Sequence, residues 1–483
     1  MGLQSFKFYM KKNKIELSLV FSVFLLGFFF YLWIFLRNKF LPMIDGPYYL
    51  IQVRSLLSTG ELVYGDPPLI FYLLSFFSLL LGDITLGVKV GVSLFCALST
   101  IPVFFLMKRV GKGTMAGIIS MLLVIFSAPY IRMITDFMKN AVGITFLFAF
   151  IYYLHDLAFS GLKKRSLILA SFFVILTGLT HILDFGVALL FLALYTIIAT
   201  IVNVNRRPFL KAAGIIALIT CIFVFIASTF FSFLFTDFNK GLSFLNALIL
   251  QRVMGAPTQP SSNLGLYPRS KPFGPNIPFS VSIVGGWGVI LLILSFGVIL
   301  SIYLWKKKEK EPLLLLTVAT SIGAIICFPL IPNNWLGRFV LMMVIPTAII
   351  LSYGISKIYN LIKKSKFDVS LFFVVICLAF FVIQSITITG SIRPTIGNTG
   401  FNDLVNMKSH IPTDSIIVVF EQGLYYWVQY VGEVDIGRLS PDLWQSYSHV
   451  LGLSVKDRTP QIPFKTIFVG NIFKLVELQQ NLE

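Results

Sequence analysis

Long apolar runs alternate with short polar segments along almost the whole chain. A helix needs roughly 20 apolar residues to cross the hydrocarbon core of a bilayer. Eleven runs approach or reach this length, whereas a twelfth, at 68–81, is too short. In chain order the runs fall at 17–36, 68–81, 88–107, 114–131, 137–154, 166–182, 184–202, 212–235, 281–304, 313–331, 339–356 and 369–390. The pattern predicts an all-α polytopic membrane protein with about eleven transmembrane helices.

The basic residues decide how the short run 68–81 is placed. If it lies along the membrane surface, alternate loops carry the lysine and arginine clusters, as the positive-inside rule requires. These loops and the N-terminus then hold more than half of the 39 basic residues. If 68–81 crossed the bilayer, every later loop would change sides and the rule would fail. We therefore predict a cytoplasmic N-terminus, an extracytoplasmic C-terminus and long outer loops at 37–87 and 236–280.

The two ends of the chain differ in character. Four lysines precede the run 17–36, which is too long for a cleaved signal peptide and predicts an uncleaved signal anchor. The tail is polar and has β-rich runs at Ser415–Phe420 and Thr466–Val469 and helix-like stretches at Phe401–His410 and Phe473–Asn481. We divide the chain into a membrane domain, 1–390, and a small external α/β domain, 391–483.

Composition agrees with a membrane protein and excludes several other classes. Hydrophobic residues make up 57% of the chain, charged residues only 12%, and the mean hydropathy is +0.86. The net charge of +18 is spread over short loops without a nucleic-acid-binding motif, so no nucleic acid partner is predicted. All four cysteines fall in apolar runs, which disfavours disulfides and a cysteine metal site.

Ionisable residues avoid the middle of every predicted span. Ion-coupled transporters usually place such groups near the midplane of the bilayer, so their absence counts against a transporter. Polar side chains collect instead at the outer ends of spans and in the outer loops. This distribution favours chemistry at the outer membrane surface.

The first outer loop offers an acid and two tyrosines directly after the first span. Asp45 either has a chemical role or caps the helix that begins near Pro47. Tyr48 and Tyr49 could line a substrate site, although an aromatic belt at the membrane interface explains them equally well. Asp66 precedes the interfacial run and is a further candidate for substrate binding.

Later outer loops add more candidates. Asp136, Lys139 and Asn140 have the spacing of one helix face, which also fits an ion pair at the start of a helix. His181 lies at the next outer turn, where a hydrogen-bonded interface residue is the alternative. The long loop Phe238–Ser280 has no acidic residue.

Basic side chains in this loop and at the following outer turn suit a phosphate. Attraction to anionic lipid headgroups is the alternative for each of them. These candidates are Arg252, Arg269, Lys271 and Arg338, and Lys139 of the second outer loop is a further candidate to hold a phosphate.

These features together resemble the membrane-embedded GT-C glycosyltransferases. Asp45 after the first span, the following Tyr-Tyr helix and Pro67-Pro68 before an interfacial helix are similar to the protein O-mannosyltransferase and lipid A aminoarabinose transferase group. The resemblance implies that Asp45 is the catalytic carboxylate and Asp136 a second functional acid. The chain departs from the family at Asp45-Gly46, where paired acids are usual, and at Asp66, where Lys or His is usual.

The resemblance also implies an activity. The donor would be a polyprenyl-phosphate-linked sugar, and the acceptor a hydroxyl of a protein, lipid or glycan at the outer face of the membrane, with Asp45 as general base and inversion at the anomeric carbon. The oligosaccharyltransferase signature aromatic-Asp-Tyr-Gly is missing, which disfavours en bloc N-glycosylation. No metal ligands are assigned, and a divalent metal stays an open alternative. A flippase of lipid-linked sugars and a non-catalytic assembly protein are the rival classes.

Overall fold

A bundle of membrane-spanning helices carries a small mixed α/β unit at its C-terminal end. The computed structural model describes residues 3–236, 281–329, 331, 333–363, 367–458 and 462–479. In these residues the helices of the bundle are α1 (Leu3–Leu36), α2 (Gly46–Thr59), α3 (Leu69–Leu81), α4 (Ile84–Leu98), α5 (Thr100–Val110), α6 (Thr114–Ile125), α7 (Ala128–Asp136), α8 (Met138–Ser160), α9 (Lys164–Thr180), α10 (Ile182–Val202), α11 (Arg206–Phe230), α12 (Trp287–Lys307), α13 (Lys310–Ile326), α14 (Asn333–Leu341), α15 (Val344–Lys363) and α16 (Phe367–Ser391), with a 3₁₀ turn at Val281–Val284.

The predicted spans are all helical. Eight segments of the described residues are long and apolar enough to cross a bilayer, and the number becomes nine if α6 and α7, bent by 49°, form one span. The two other predicted spans, α9 and α13, are helices of 17 residues each. The prediction of an all-α polytopic membrane protein is therefore confirmed.

The doubtful run 68–81 forms the short helix α3. Its 13 residues extend over about 20 Å, which is less than the roughly 30 Å of the hydrocarbon core. Pro68 precedes the helix, and Gly82 ends it in the left-handed conformation with φ of 67°. Helix α3 packs against α4 and α2, and its place along the membrane surface stays a prediction.

The first and last spans meet at the end of the bundle that carries Asp45. The Arg37 guanidinium donates to the carbonyl of Thr389 at 2.8 Å. Further along the chain, the Met43 backbone N–H donates to the Arg393 carbonyl at 3.0 Å, and Met43 forms a β-bridge with Pro394. These bonds fix the start of the first loop against the segment that leads into the C-terminal unit.

The C-terminal unit is built on a five-stranded sheet. Its helices are α17 (Asn398–Lys408), α18 (Tyr425–Gly432) and α19 (Leu443–Ser446), with a 3₁₀ turn at Gln422–Leu424. Its strands are β1 (Ser415–Val419), β2 (Asp435–Gly437), β3 (His449–Val455), β4 (Phe464–Val469) and β5 (Phe473–Leu478). Their order in the sheet is β2-β1-β3-β5-β4. The β1 strand is parallel to β2 and β3, whereas β5 is antiparallel to β3 and β4.

One predicted element of this unit is wrong. The stretch Phe473–Asn481 reads as a helix because Leu, Lys, Glu and Gln are good helix formers. In the structure Phe473–Leu478 is strand β5, paired on both sides, and Phe473, Leu475 and Val476 are buried. Pairing with two neighbouring strands outweighs a weak local preference.

A tryptophan anchors the C-terminal unit to the bundle. Trp427 is 1% exposed, and its ring lies 5.4 Å from Phe40, which follows the first span. Its indole N–H donates to the Thr395 hydroxyl at 3.1 Å. Nearby, Arg54 of α2 donates to the Tyr430 carbonyl at 2.8 Å. Helix α18 therefore packs on α2, the helix that begins directly after Asp45.

If α3 lies along the membrane surface, as the sequence predicts, its two ends lie on the same side. Single cysteines at Glu61→Cys and Asp83→Cys, in a background whose four native cysteines are replaced by alanine, should react equally with a membrane-impermeant maleimide in sealed vesicles. Lys163→Cys, in the loop between α8 and α9, is the control from the opposite predicted side. Labelling of Glu61→Cys and Asp83→Cys from opposite sides would show that α3 spans.

Candidate active site

Asp45 lies at the turn between α1 and α2 and does not cap the helix that follows it. Its backbone has φ of −84° and ψ of −7°, and its side chain accepts no capping hydrogen bond from α2. Gly46 makes this tight turn feasible, since a Cβ there would lie 2.8 Å from the Leu41 side chain. The Asp45 residue as a whole is half-buried, at the start of a helix whose first turn is buried.

The second acid meets the first at this turn. The backbone N–H of Asp45 donates to Asp136 Oδ1 at 3.3 Å. Asp136 is the last residue of α7 and is only 4% exposed. The structure therefore brings together the two acids that the sequence predicts, although they are far apart along the chain.

Asp136 is held by an arginine one helical turn before it. Arg132 Nη2 lies 3.0 Å from Asp136 Oδ2, and both side chains are 6% exposed. The Arg132 Nε and Nη1 atoms are buried and, within the described residues, have no hydrogen-bond partner. Buried donors without partners are costly, and an anionic ligand would satisfy them.

Arg338 approaches the same place from another helix. The guanidinium carbons of Arg132 and Arg338 lie 5.9 Å and 5.7 Å from the centre of the Phe137 ring. Both distances are in the range of cation–π contacts. Two arginines thus contact one aromatic ring beside Asp45 and Asp136. Arg338 was predicted as a site residue, whereas Arg132 was not.

The predicted shared helix face of Asp136, Lys139 and Asn140 is wrong. The helix breaks at Phe137, where φ is −108° and ψ is 57°, so Asp136 ends α7 while Lys139 lies in the first turn of α8. Lys139 pairs instead with Asp66, whose two carboxylate oxygens lie 2.6 Å and 2.5 Å from its ammonium nitrogen. The break separates the charges that a continuous helix would have paired.

Lys139 and Asp66 belong to a polar cluster that includes both predicted tyrosines. The Tyr48 hydroxyl donates to Asp66, and the Tyr49 hydroxyl accepts from the Lys139 backbone N–H at 3.1 Å. Tyr426 of the C-terminal unit closes this cluster, with its ring centre 5.3 Å from that of Tyr48. No sequence signal marks Tyr426, because its place depends on how α18 packs on α2.

Burial and charge set the acidity of Asp45. Loss of water contact raises its pKa from the usual 3.8 to about 7, and the negative charge of Asp136 acts in the same direction. The positive charges of Lys139, Arg338 and Arg132 oppose this rise in the pKa. A carboxylate that titrates near neutral pH is suited to accept a proton in a general-base step.

Comparison with solved structures identifies the architecture. The chain matches the oligosaccharyltransferase AglB from Archaeoglobus fulgidus, solved with an inhibitory peptide and a dolichol-phosphate, at a TM-score of 0.63 and 14% identity over 91% of this chain and 69% of that one. It matches ArnT from Cupriavidus metallidurans, solved with undecaprenyl phosphate, at a TM-score of 0.56 and 11% identity over 97% of this chain and 98% of that one. The chain has the GT-C fold.

The GT-C fold confirms the resemblance predicted from the sequence. The likeness to ArnT covers nearly the full length of both chains. The apo structure of the Archaeoglobus fulgidus oligosaccharyltransferase matches at a TM-score of 0.60 and 14% identity over 88% of this chain, which spans 65% of that protein's length. No protein-family model and no curated protein sequence matches the chain. At these identities the comparison establishes the architecture.

Within the GT-C fold, two predicted residues surround a third, buried acid. Asp184, at the start of α10, is fully buried, and the His181 Nδ1 atom lies 3.3 Å from its Oδ2. With its amide nitrogen turned towards Asp184, Asn140 donates to both carboxylate oxygens at 2.7 Å and 3.2 Å. Asn140 and His181 thus form a cluster around Asp184, and their predicted role in binding substrate stays a prediction.

Three predicted phosphate ligands, Arg252, Arg269 and Lys271, lie outside the described residues. In the described part of the chain, no three His, Cys, Asp or Glu side chains are close enough to hold a metal ion. The acids of the site contact cations instead, Asp136 through Arg132 and Asp66 through Lys139. Because these acids are already paired with cations, they do not fit a divalent ion.

A glycine permits the close approach of Asp184 to α8. A Cβ atom at Gly143 would lie 2.2 Å from Asp184 Oδ2, so Gly143→Ala should force this buried carboxylate to move. We expect a loss of about 1–3 kcal/mol in the free energy of unfolding, measured as a lower Tm of the purified protein in detergent. Gly186→Ala, where a Cβ meets nothing within 4 Å, is the matched control and should leave the Tm unchanged or raise it slightly. Equal Tm values for the two variants would contradict the packing described here.

Proposed function

We propose that this protein is a glycosyltransferase that moves a sugar from a polyprenyl-phosphate-linked donor to an acceptor hydroxyl at the outer face of the membrane. The observation that carries the proposal is the pairing of Asp45 with Asp136 beside Arg132 and Arg338, in a chain with the GT-C fold. A proton acceptor and positive charge at one place are the two things that such a transfer needs.

The donor class rests on two similar structures. AglB was solved with a dolichol-phosphate and ArnT with undecaprenyl phosphate, and both ligands are polyprenyl phosphates. We infer the same class of lipid for this chain. The lipid chain keeps such a donor in the membrane, and its phosphate and sugar then extend to the loop that holds Asp45.

Asp45 acts as the general base. Its carboxylate takes the proton of the acceptor hydroxyl while the hydroxyl oxygen forms a bond to the anomeric carbon of the sugar. The bond from that carbon to the phosphate oxygen breaks on the opposite side, and the configuration inverts. The electron pair leaves with the polyprenyl phosphate, whose negative charge increases by one. Because this leaving group is stable as an anion, it needs positive charge nearby and no general acid.

Arg132 and Arg338 supply that positive charge. Arg132 is buried and has two N–H groups without partners in the described residues, so a phosphate oxygen beside Phe137 would complete its hydrogen bonds. Arg338 makes a second cation–π contact with the same Phe137 ring. Lys139, also predicted as a phosphate ligand, is paired with Asp66 and contributes through its charge on Asp45.

Asp136 has a positioning role in this reaction. It accepts the Asp45 backbone N–H, which orients the turn that carries the base, and it pairs with Arg132, which fixes the guanidinium. Tyr48, Tyr49 and Tyr426 supply an aromatic and hydroxyl-rich wall of the kind that sugars contact.

One transport and transfer assay separates this function from its rivals. Purified protein in sealed vesicles is given radiolabelled polyprenyl-phosphate sugars together with a membrane extract as the acceptor source. Transfer of label to an acceptor or to water supports a glycosyltransferase. Movement of intact donor across the membrane indicates a flippase, and the absence of both indicates an assembly protein.

Replacement of the general base should remove most of the activity. Asp45→Asn keeps the shape of the side chain but cannot accept the proton, and we expect the transfer rate to fall by about 10²–10⁴-fold. Asp83→Asn is the matched control, because Asp83 caps α4 and asparagine caps equally well. If folded Asp45→Asn turned over near the wild-type rate, the base would have to be another residue.

The raised pKa of Asp45 predicts the pH dependence of kcat/KM. The base works only when deprotonated, so kcat/KM should rise tenfold per pH unit below about pH 7 and level off above it. Arg338→Ala removes a positive charge that lowers the pKa, so the rise should move to higher pH. A profile that is flat from pH 5 to 8 would contradict this assignment of the base.

Donor affinity tests the two arginines. Arg132→Lys keeps the charge but loses the fork of N–H groups, and Arg338→Ala loses both. We expect each to raise the Kd for a polyprenyl-phosphate sugar by about 10–100-fold, as for loss of a hydrogen bond to a charged group. Arg207→Ala, an exposed arginine of α11 far along the chain, is the control. Unchanged Kd values in both variants would favour simple attraction to lipid headgroups.

A further inference from the structure

A basic cavity lies where the first and last spans end, and none of the residues of the candidate active site lines it. It has a volume of about 620 Å³ and lies between the turn after α1 and the segment that enters the C-terminal unit. Three of its lining residues are cationic, Arg37, Lys39 and Arg393, and none of its lining residues is acidic. In the part of the chain that the structure describes, none of the three is paired with a carboxylate.

A fourth cation lies beneath this cavity. Lys89 of α4 is 4% exposed, and its ammonium donates to the carbonyls of Asn38 and Lys39 at 2.7 Å and 2.9 Å. These bonds fix the turn that carries Arg37 and Lys39, and they add positive charge under it. The cavity is therefore an anion site by charge, with a backbone that is already held in place.

The cationic side chains are themselves partly oriented. The Arg37 guanidinium uses one nitrogen to donate to the Thr389 carbonyl and stacks 5.2 Å from the Trp33 ring. Its other N–H groups are left for a ligand, and a guanidinium can bind phosphate oxygens through two of them. The Lys39 ammonium lies 5.4 Å from the Phe40 ring at the floor of the cavity.

The surface next to the cavity is apolar and belongs to two spans. Trp33 and Leu36 of α1 are 53% and 54% exposed, and Ile383 and Ile386 of α16 are 64% and 63% exposed. The bond between Arg37 and Thr389 brings the ends of these two helices together. An occupant with a phosphate in the cavity would have its acyl chains against this apolar surface. This combination fits a lipid better than a free phosphate.

We propose that the cavity lined by Arg37, Lys39 and Arg393 binds the phosphate headgroup of an anionic membrane phospholipid. The site is separate from the proposed donor site and does not depend on the glycosyl transfer. Its occupant would also link the bundle to the C-terminal unit, because the lining residue Thr395 donates to the Gly423 carbonyl and accepts from Trp427. Bound phospholipid should therefore stabilise the attachment of this unit.

The test compares anionic and neutral lipid on the full-length protein. Purified protein in mixed micelles is titrated with phosphatidylglycerol, phosphatidylcholine or inorganic phosphate, and bound lipid is counted by native mass spectrometry while the Tm is recorded. We expect phosphatidylglycerol to bind and raise the Tm at concentrations at which inorganic phosphate does neither. Equal effects of inorganic phosphate would overturn the lipid as occupant, and equal effects of phosphatidylcholine would overturn the phosphate-charge basis.

The variants separate the cavity from general attraction to a basic protein. Arg37→Gln, Lys39→Gln and Arg393→Gln combined should weaken phosphatidylglycerol binding by on the order of 10²-fold and abolish the Tm increase. Lys306→Gln, Lys307→Gln and Lys308→Gln combined remove the same charge at the far end of α12 and should change neither. Equal losses in the two triple variants would overturn the site. Lys39→Gln alone, an exposed change with a smaller expected loss of severalfold, decides the matter if the triple variant does not fold.

Discussion

The candidate site depends on a buried ion pair at the end of a helix. Asp136 can be 4% exposed only because Arg132, one turn earlier, lies 3.0 Å away and the Asp45 backbone N–H completes its hydrogen bonds. A buried carboxylate without such partners would be protonated or would destabilise the fold. This pair fixes the turn that carries Asp45 to a different part of the chain. It also leaves two buried N–H groups of the guanidinium without a partner among the described residues.

The break between α7 and α8 makes this arrangement feasible. Had the helix continued through Phe137, Lys139 would have been one turn from Asp136 and would have neutralised it. The break turns Lys139 towards Asp66 and leaves Asp136 to Arg132. The positive charges are thereby spread around Asp45, and its pKa lies near 7 because burial exceeds their opposing effect. The geometry of one backbone turn thus sets the chemistry of the proposed base.

The C-terminal unit completes the site and secures its own attachment. Helix α18 packs on α2 through Tyr430, whose carbonyl accepts from Arg54, and places Tyr426 next to Tyr48, so the wall of the site comes from two distant parts of the chain. The same attachment creates the basic cavity between α1 and the segment at Arg393. The two proposed sites, one for a donor and one for a phospholipid, therefore share the junction between bundle and sheet.

The GT-C fold was predicted from a resemblance to a family at Asp45, Tyr48-Tyr49 and Pro67-Pro68, and Asp45 and Asp136 became candidates because they lie at the outer ends of predicted spans. The spans themselves were predicted from hydropathy and charge, which are local properties. Such properties could not show the break at Phe137, which rearranged the partners of Lys139, or the strand at Phe473–Leu478, which only its neighbours in the sheet stabilise. Arg132 has a visible signal in its four-residue spacing from Asp136, whereas Tyr426 has none. Tertiary structure decided these points because contacts between segments that are distant in the chain outweigh local preference.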